Sequence, residues 1–305
     1  MGYVRKHFTV TQSVKAFRFL IDNFNCSMSE AQKWIDKKRV YIDGAVLEIK
    51  NSNIKGEVEV IVFEPIKKGL KPIYETEFFA LFDKPSGVLI HPNRLSDEYS
   101  LNDEIKALFG NSANVVHRID RETSGLVLVA KEKNSEIELK KLFEERLIRK
   151  EYLALVSGEL KKKIVVDADL KSDLPTSKIR IKSHVVKVGK KAITHIEPIK
   201  YLIDLDATVV KATPFTGRTH QIRAHLFHVK HPIIGDTIYG QNEDDADRFL
   251  NLKMERQERL ELSGANRLML HANTLSFKYK GIEYNIQSKT DFERLIDEYR
   301  ISKQA

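Results

Sequence analysis

Residues 115–131 read VVHRIDRETSGLVLVAK. Two apolar runs, Val115-Val116 and residues 126–130, flank a polar centre. Short apolar runs bounded by turn residues, here Thr123-Ser124-Gly125, predict buried strands on either side of a loop. His117-Arg118-Ile119-Asp120-Arg121-Glu122 then sits on that loop, pinned at both ends by core. A carboxylate between two guanidiniums, held between strands, is a candidate reactive group. Taken alone, the same residues fit an ordinary Asp–Arg pair on a surface loop better. The choice between the two readings rests on the remainder of the chain.

At 305 residues the sequence has room for one large domain, or a large one with a small one. A hydrophobic fraction of 42% supports a packed core, and the net charge of +8 favours a polyanionic partner. The single cysteine, Cys26, excludes a disulfide framework and a thiolate metal cluster, and fits a reducing compartment. No apolar run approaches a membrane span, and the N-terminal MGYVRKHFTV lacks the apolar core of a signal peptide. These features lead to the expectation of a cytoplasmic protein with no membrane association. There is no internal repeat, P-loop or glycine-rich dinucleotide turn.

The N-terminal part opens with a short basic segment, residues 1–10, that could begin a strand. Residues 13–23 (SVKAFRFLIDN) have roughly helical spacing. A second helix is predicted from Ser27 or Ser29, with Glu30 suited to its first turn and Lys37-Lys38-Arg39 at its basic end. Val40-Tyr41-Ile42, Asp43-Gly44 and Ala45-Val46-Leu47 read as a hairpin, and residues 58–63 as a closing strand. Over about residues 11–64 this order resembles the small RNA-binding domain named after ribosomal protein S4. The resemblance implies that Lys33, Lys37, Lys38 and Arg39 face phosphates. Such cations supply affinity without reading sequence.

Residues 64–71, with Pro65, two lysines and Gly69, read as a linker. The expected division is therefore 1–65 for the S4-like domain, 66–76 for the linker and 77–305 for a large domain. Within the last, 77–90 is expected as strand, turn and strand, and 101–109 as a helix ending at Gly110. A helix over 134–149, a strand over 150–158 and several strands across 161–193 follow. After a strand at 209–213 comes a turn, then a helix starting near Thr219. Residues 241–261 read as a solvated helical insertion, 268–277 as a final strand and 290–299 as a last helix.

Three separated segments then line up with one family. Residues 117–126, HRIDRETSGL, closely resemble the signature of the RluA-type pseudouridine synthases, with Ile119 in place of the usual Leu, a volume-conserving swap. Residues 150–156, KEYLALV, resemble the second family motif. Residues 217–225, GRTHQIRAH, resemble the third, extended by His231-Pro232-Ile233-Ile234-Gly235-Asp236. Asp83-Lys84-Pro85-Ser86-Gly87 and residues 267–272 fit the flanks, so the match covers about 77–278. The closing segment departs from the pattern, with Tyr279-Lys280-Gly281 where a His-Pro pair is typical.

The resemblance implies an RNA pseudouridine synthase acting on ribosomal or transfer RNA. That reaction breaks the N-glycosidic bond, turns the uracil and rejoins it through carbon. It needs no redox step, phosphate donor or metal, so no cofactor is expected. By resemblance Asp120 is the catalytic aspartate, Arg223 the cation that favours its charged form, and Tyr152 the ring and hydroxyl beside the uracil. Arg118 by resemblance fills the place vacated by the everted nucleotide, although an ordinary phosphate contact fits it nearly as well. Arg218 and His220 complete the expected RNA contacts. A non-catalytic RNA-binding protein on the same scaffold is the alternative. His220, His225, His228 and His231 raise a metal site, but no carboxylate lies among them and no His-Glu-x-x-His pattern exists. Structural or RNA-contacting histidines are the expected reading. The expected architecture is α+β: a small helix–hairpin domain followed by a large domain on a mixed, mainly antiparallel sheet, acting as a monomer.

Overall fold

The computed structural model describes residues 2–92, 98–251 and 253–304. Its contacts divide the chain into two units, residues 1–68 with 91–103, and residues 69–90 with 104–305.

In the first unit, β1 (Tyr3–Lys15), β2 (Val40–Ile42), β3 (Ala45–Val46) and β4 (Asn53–Phe63) form an antiparallel sheet in the order β1-β4-β2-β3. Helices α1 (Ala16–Phe24) and α2 (Met28–Asp36) pack on it through Phe19, Leu20, Ala31 and Ile35 against Val40, Val58, Val60 and Val62. The expected capping of α2 is present: Ser27 Oγ accepts the Glu30 N–H, and the Glu30 carboxylate accepts the Ser27 N–H. Asp43 and Gly44 both have positive φ, as a two-residue hairpin turn of this kind requires. The helix expected from residue 13 starts at Ala16 instead. Residues 13–15 belong to β1, which shifts register between Val10 and Val14 and then pairs again with β4.

Of the four cations expected to face phosphate, Lys33, Lys37 and Lys38 are exposed. Arg39 is half-buried, donates to the Tyr3 hydroxyl at 2.9 Å and stacks its guanidinium over the Tyr3 ring at 4.6 Å. Its planar head is therefore taken up in holding β1 to the start of β2.

The rest of the chain builds a large sheet, and its first helix is α3 (Leu101–Phe109). Its strands are β5 (Tyr74–Glu75), β6 (Phe79–Lys84), β7 (Asn114–Val115), β8 (Ser124–Ala130), β9 (Arg149–Ser157), β10 (Ile164–Asp167), β13 (Ile193–Leu202), β14 (Ala207–Pro214), β15 (Leu270–Tyr279) and β16 (Ile282–Gln287). A separate hairpin is made by β11 (Leu170–Ser172) and β12 (Ser183–Val185). The main path runs β10-β13-β14-β9-β15-β8-β6-β5, with β7 added to β8 and β16 to β15. Among the described residues, β15–β8 is the one parallel pair. The remaining helices are α4 (Lys133–Glu144), α5 (Gln221–His228), α6 (Glu243–Leu250), α7 (Arg256–Ser263) and α8 (Phe292–Gln304). None of the described helices is long and apolar enough to cross a membrane.

Every residue of β8 is buried, which explains why it reads as a continuous apolar run rather than an alternation. Leu126 and Leu128 pack with Phe79, Phe277 and Leu139 of α4, and each such side chain contributes roughly 1.5–3 kcal/mol by burial. Where β8 meets β15, Gly125 has φ +106°, and a β-carbon there would lie 2.3 Å from the Ala272 carbonyl oxygen. Only glycine permits that approach.

Three expectations need correction. Residues 88–90 are not a named strand, because the turn before them is drawn inward around Lys84, as described below. Helix α4 ends at Glu144, and Arg146 (φ +60°) turns the chain into β9. The insertion is helical as expected, in two helices, α6 and α7, whereas a further strand, β16, follows β15.

Candidate active site

Strands β9 and β14 pair from Ser157↔Ala207 to Tyr152↔Ala212 and then separate. A cleft of about 1180 Å³ opens there, lined by residues 117–120 and Thr123, the turn into β9, the ends of β13 and β14, and the start of α5. Eight of its lining side chains are Lys or Arg and three are Asp or Glu, a balance that suits a phosphate chain.

The Asp120 loop is fixed from both sides. Val116 N–H donates to the Leu128 carbonyl, and Leu128 N–H donates to His117 Nε2 at 3.0 Å. His117 also stacks on Phe143 at 4.6 Å, so the imidazole extends the β7–β8 ladder by one rung. On the other side stands the segment 84–87. Lys84 is fully buried, and its Nζ donates to the carbonyls of Pro85, Val88 and Arg121 at 2.7–2.9 Å. Burial pushes its pKa down to about 7, against which the Glu122 and Asp120 charges act. All three carbonyls receive a proton only from the ammonium form. Ser86 Oγ donates to the Glu122 carbonyl and Gly87 N–H to that of Arg121. Backbone on either side of the Asp120 side chain is thus clamped, while the side chain itself stays 26% exposed to the cleft.

Arg223 arrives from α5 and is 3% exposed. Its Nη1 lies 3.3 Å from Asp120 Oδ2, but its tighter partner is Asp236. Arg223 Nε and Nη2 donate to the two Asp236 oxygens at 2.8 and 2.7 Å. Asp236 accepts in addition from the Ile238 and Tyr239 N–H groups. Burial opposes both charges; the pair overcomes it, so Asp236 lies below the usual carboxylate range and Arg223 above the usual arginine value. Sequence reasoning placed Asp236 in a motif but gave it no role. The one acid in the apolar run 232–239 was the available signal, since a buried carboxylate requires a cation.

Tyr152 lines the same cleft and is 9% exposed. Burial, and after it the Asp120 charge, raises its pKa above the ordinary phenol value, so it stays protonated at neutral pH. Arg118 is exposed on the cleft wall and makes no hydrogen bond or ion pair with a described residue. Arg218 lines the cleft with its Nε bonded to the Lys191 carbonyl. His220 is not at the surface: it is 7% exposed, with Nε2 3.8 Å from Asp120 Oδ2. Gln221 fastens this end of α5, accepting from Thr216 Oγ1 and Arg218 N–H and donating to Ile193 O and Thr194 Oγ1.

No group of three or more His, Cys, Asp or Glu among the described residues could hold a metal ion. His225 bonds Thr194 Oγ1 and the Ala168 carbonyl through its two nitrogens, and His231 bonds the Ser157 carbonyl.

The insertion also touches the site. Arg259 of α7 pairs with Glu122 at 2.7 Å, both side chains being largely buried, and its Nη2 lies 3.5 Å from the Gly235 carbonyl.

Three histidines make stability pH-dependent. Burial lowers the pKa of His117 to about 3, and of His220 and His271 to about 4. Their unfolded values lie near 6.5. Between about pH 4 and 6.5 the unfolded chain therefore binds more protons, and stability falls as pH falls, by up to about 1.4 kcal/mol per unit for each ring. Thermal melts are expected to show a lower Tm at pH 5.0 than at pH 7.5, with a smaller difference in a His117→Gln chain. Equal midpoints at the two pH values would refute the assignment of neutral buried rings.

The family described as RNA pseudouridylate synthase matches residues 79–228. A Helicobacter pylori strain J99 protein named uncharacterized RNA pseudouridine synthase is 39% identical over 94% of this chain and 96% of its own. Ribosomal large subunit pseudouridine synthase D of Nitrosomonas europaea is 33% identical, over 72% of this chain and 66% of its own. In fold, the human RNA pseudouridylate synthase domain containing 1 superposes with a TM-score of 0.57 at 22% identity, covering 78% of this chain and 97% of its own. With a full-length relative at this identity, and with the three motifs assembled around one cleft, the chain belongs to the RNA pseudouridine synthases and is an isomerase acting on RNA.

Proposed function

We propose that this protein converts uridine to pseudouridine in large-subunit ribosomal RNA, with Asp120, Tyr152 and Arg223 at the reacting nucleotide. The observation that carries the reading is a partly exposed carboxylate, Asp120, paired with a buried guanidinium in a cation-rich cleft that the buried phenol Tyr152 also lines. In the reaction the C1′–N1 bond breaks, C1′ bonds to C5, and the proton lost from C5 is balanced by one gained at N1. Asp120 serves as the anion facing C1′ and the proton. Tyr152, kept as a neutral phenol, offers its ring to the uracil. Arg223, anchored by Asp236, fixes the Asp120 side chain. The uridine must first leave its stack, at a few kcal/mol, and Arg118 is free to fill the gap.

Ribosomal RNA is favoured over transfer RNA because several relatives carry the name ribosomal large subunit pseudouridine synthase. The helix pair and hairpin of the first unit support its reading as an S4-like RNA-binding domain, with Lys33, Lys37 and Lys38 toward phosphate and residues 66–76 as the linker to the catalytic domain at 77–305. A monomer in the cytoplasm completes the proposal. Pseudouridine mapping of ribosomal and transfer RNA from cells with and without the gene tests it. Loss of a site in large-subunit RNA is expected; loss confined to transfer RNA would overturn the substrate assignment.

A further inference from the structure

The cleft is larger than one nucleotide requires, and its outer part has its own chemistry. Register across β10, β13 and β14 places Val165, His195 and Thr213 side by side. Phe215 lies two residues beyond Thr213. The residue is 49% exposed, yet its ring packs against His195, tilted by 47° with centroids 4.3 Å apart. The backbone beneath it is immobilised: Phe215 N–H donates to Ile193 O, and Thr216 Oγ1 accepts from Ile193 N–H and donates to Gln221. A large apolar ring held rigid in water, among cations, is positioned to be covered.

The next register step along the same strands is charged. Glu197 stands opposite Lys211 and binds both Lys163 and Lys211, two ammoniums for one carboxylate. All of these side chains line the cleft that holds Asp120 and Tyr152. Phe215 is the first residue beyond β14, three positions after Ala212, the direct partner of Tyr152, and so within about 10 Å of it along the chain. A nucleotide chain leaving Tyr152 along this wall meets an aromatic face and a net positive edge.

We propose that Phe215, backed by His195, is a stacking platform for a nucleobase adjacent to the target uridine in the same RNA strand, with Lys163 and Lys211 beside its phosphates. A π-face accepts any base, so the platform adds affinity and holds the strand open without selecting sequence. The proposal rests on the isomerase reading above and deepens it.

The test measures pseudouridine formation on an unmodified transcript of large-subunit ribosomal RNA. Phe215→Ala is expected to raise KM about 5- to 150-fold with kcat within threefold. Phe215→Trp is expected to keep the wild-type KM, and Phe215→Leu to behave like Phe215→Ala. An alanine variant with KM within twofold of wild type, a leucine variant that recovers as fully as tryptophan, or a loss confined to kcat would overturn the platform. A second measurement stands apart from the choice of RNA. Asp120→Asn protein, with and without Phe215→Ala, is titrated with labelled nonauridylate and with an abasic nonamer. The preference for nonauridylate must shrink when Phe215 is removed; an unchanged preference sinks the platform. Wild-type protein inactive on the transcript overturns the ribosomal assignment alone and leaves the platform to be decided by this titration.

Discussion

Asp120→Asn is expected to lower the rate of pseudouridine formation by about 10⁴-fold, equivalent to ~5.5 kcal/mol of barrier. Asparagine keeps the shape but carries no charge and accepts no proton at neutral pH. The fold should not notice. Arg223 lies 3.3 Å from Asp120 but holds Asp236 at 2.7–2.8 Å, so its guanidinium keeps its main partner when Asp120 is neutralised. The clamps on the loop are backbone contacts from Lys84, Ser86 and Gly87, which the substitution leaves in place. The expected result is an inactive protein with a melting temperature within a few degrees of wild type and RNA binding retained. A variant that keeps a tenth of the activity removes Asp120 from the chemistry.

Asp236→Asn has the opposite signature. Arg223 is 3% exposed, and the Asp236 side chain is 1% exposed. Removing one partner of a buried pair leaves a charge with no compensation, at a cost of about 3–5 kcal/mol. For a domain of this size that corresponds to a fall in Tm of about 10 °C. Activity should fall as well, because the guanidinium that steadies Asp120 loses its anchor. Thermal unfolding of the two variants side by side separates the roles: one carboxylate acts on the reaction, the other on the residue behind it. An Asp236→Asn chain that melts with wild type contradicts this account.

How much of this was legible beforehand depended on the range of the interaction. Local patterns read correctly: the apolar flanks of the Asp120 loop, the Ser27–Glu30 cap and the Asp43-Gly44 hairpin each involve residues within a few positions of one another. Arrangements settled by distant groups did not. Val14 fits a helical stripe as well as a strand, and only pairing with Ile54 decides it. Val88-Leu89-Ile90 has the composition of a strand, but the Val88 carbonyl is turned in to a buried ammonium. Arg39 closed a basic run and looked like its neighbours; its contact with the Tyr3 ring, 36 positions earlier, sets its surroundings apart from theirs. His220 was expected to contact RNA, and its burial in the cleft wall beside Asp120 could not be read from spacing. Asp236 stood in a motif without a role because burial, not spacing, gives it its strength, and only its isolation in an apolar run hinted at that.

The pairing of Arg259 with Glu122 has a consequence for how this enzyme can vary. Residues 241–261 read as the part most open to exchange, rich in charge and poor in core. Yet one arginine from it reaches a side chain two positions after Asp120 and approaches the carbonyl just ahead of Asp236. The segment and the reaction loop therefore form a matched set. A graft of this region from a relative with no cation at 259 strands a buried carboxylate beside the reacting centre, so drift at 259 and at 122 has to proceed together.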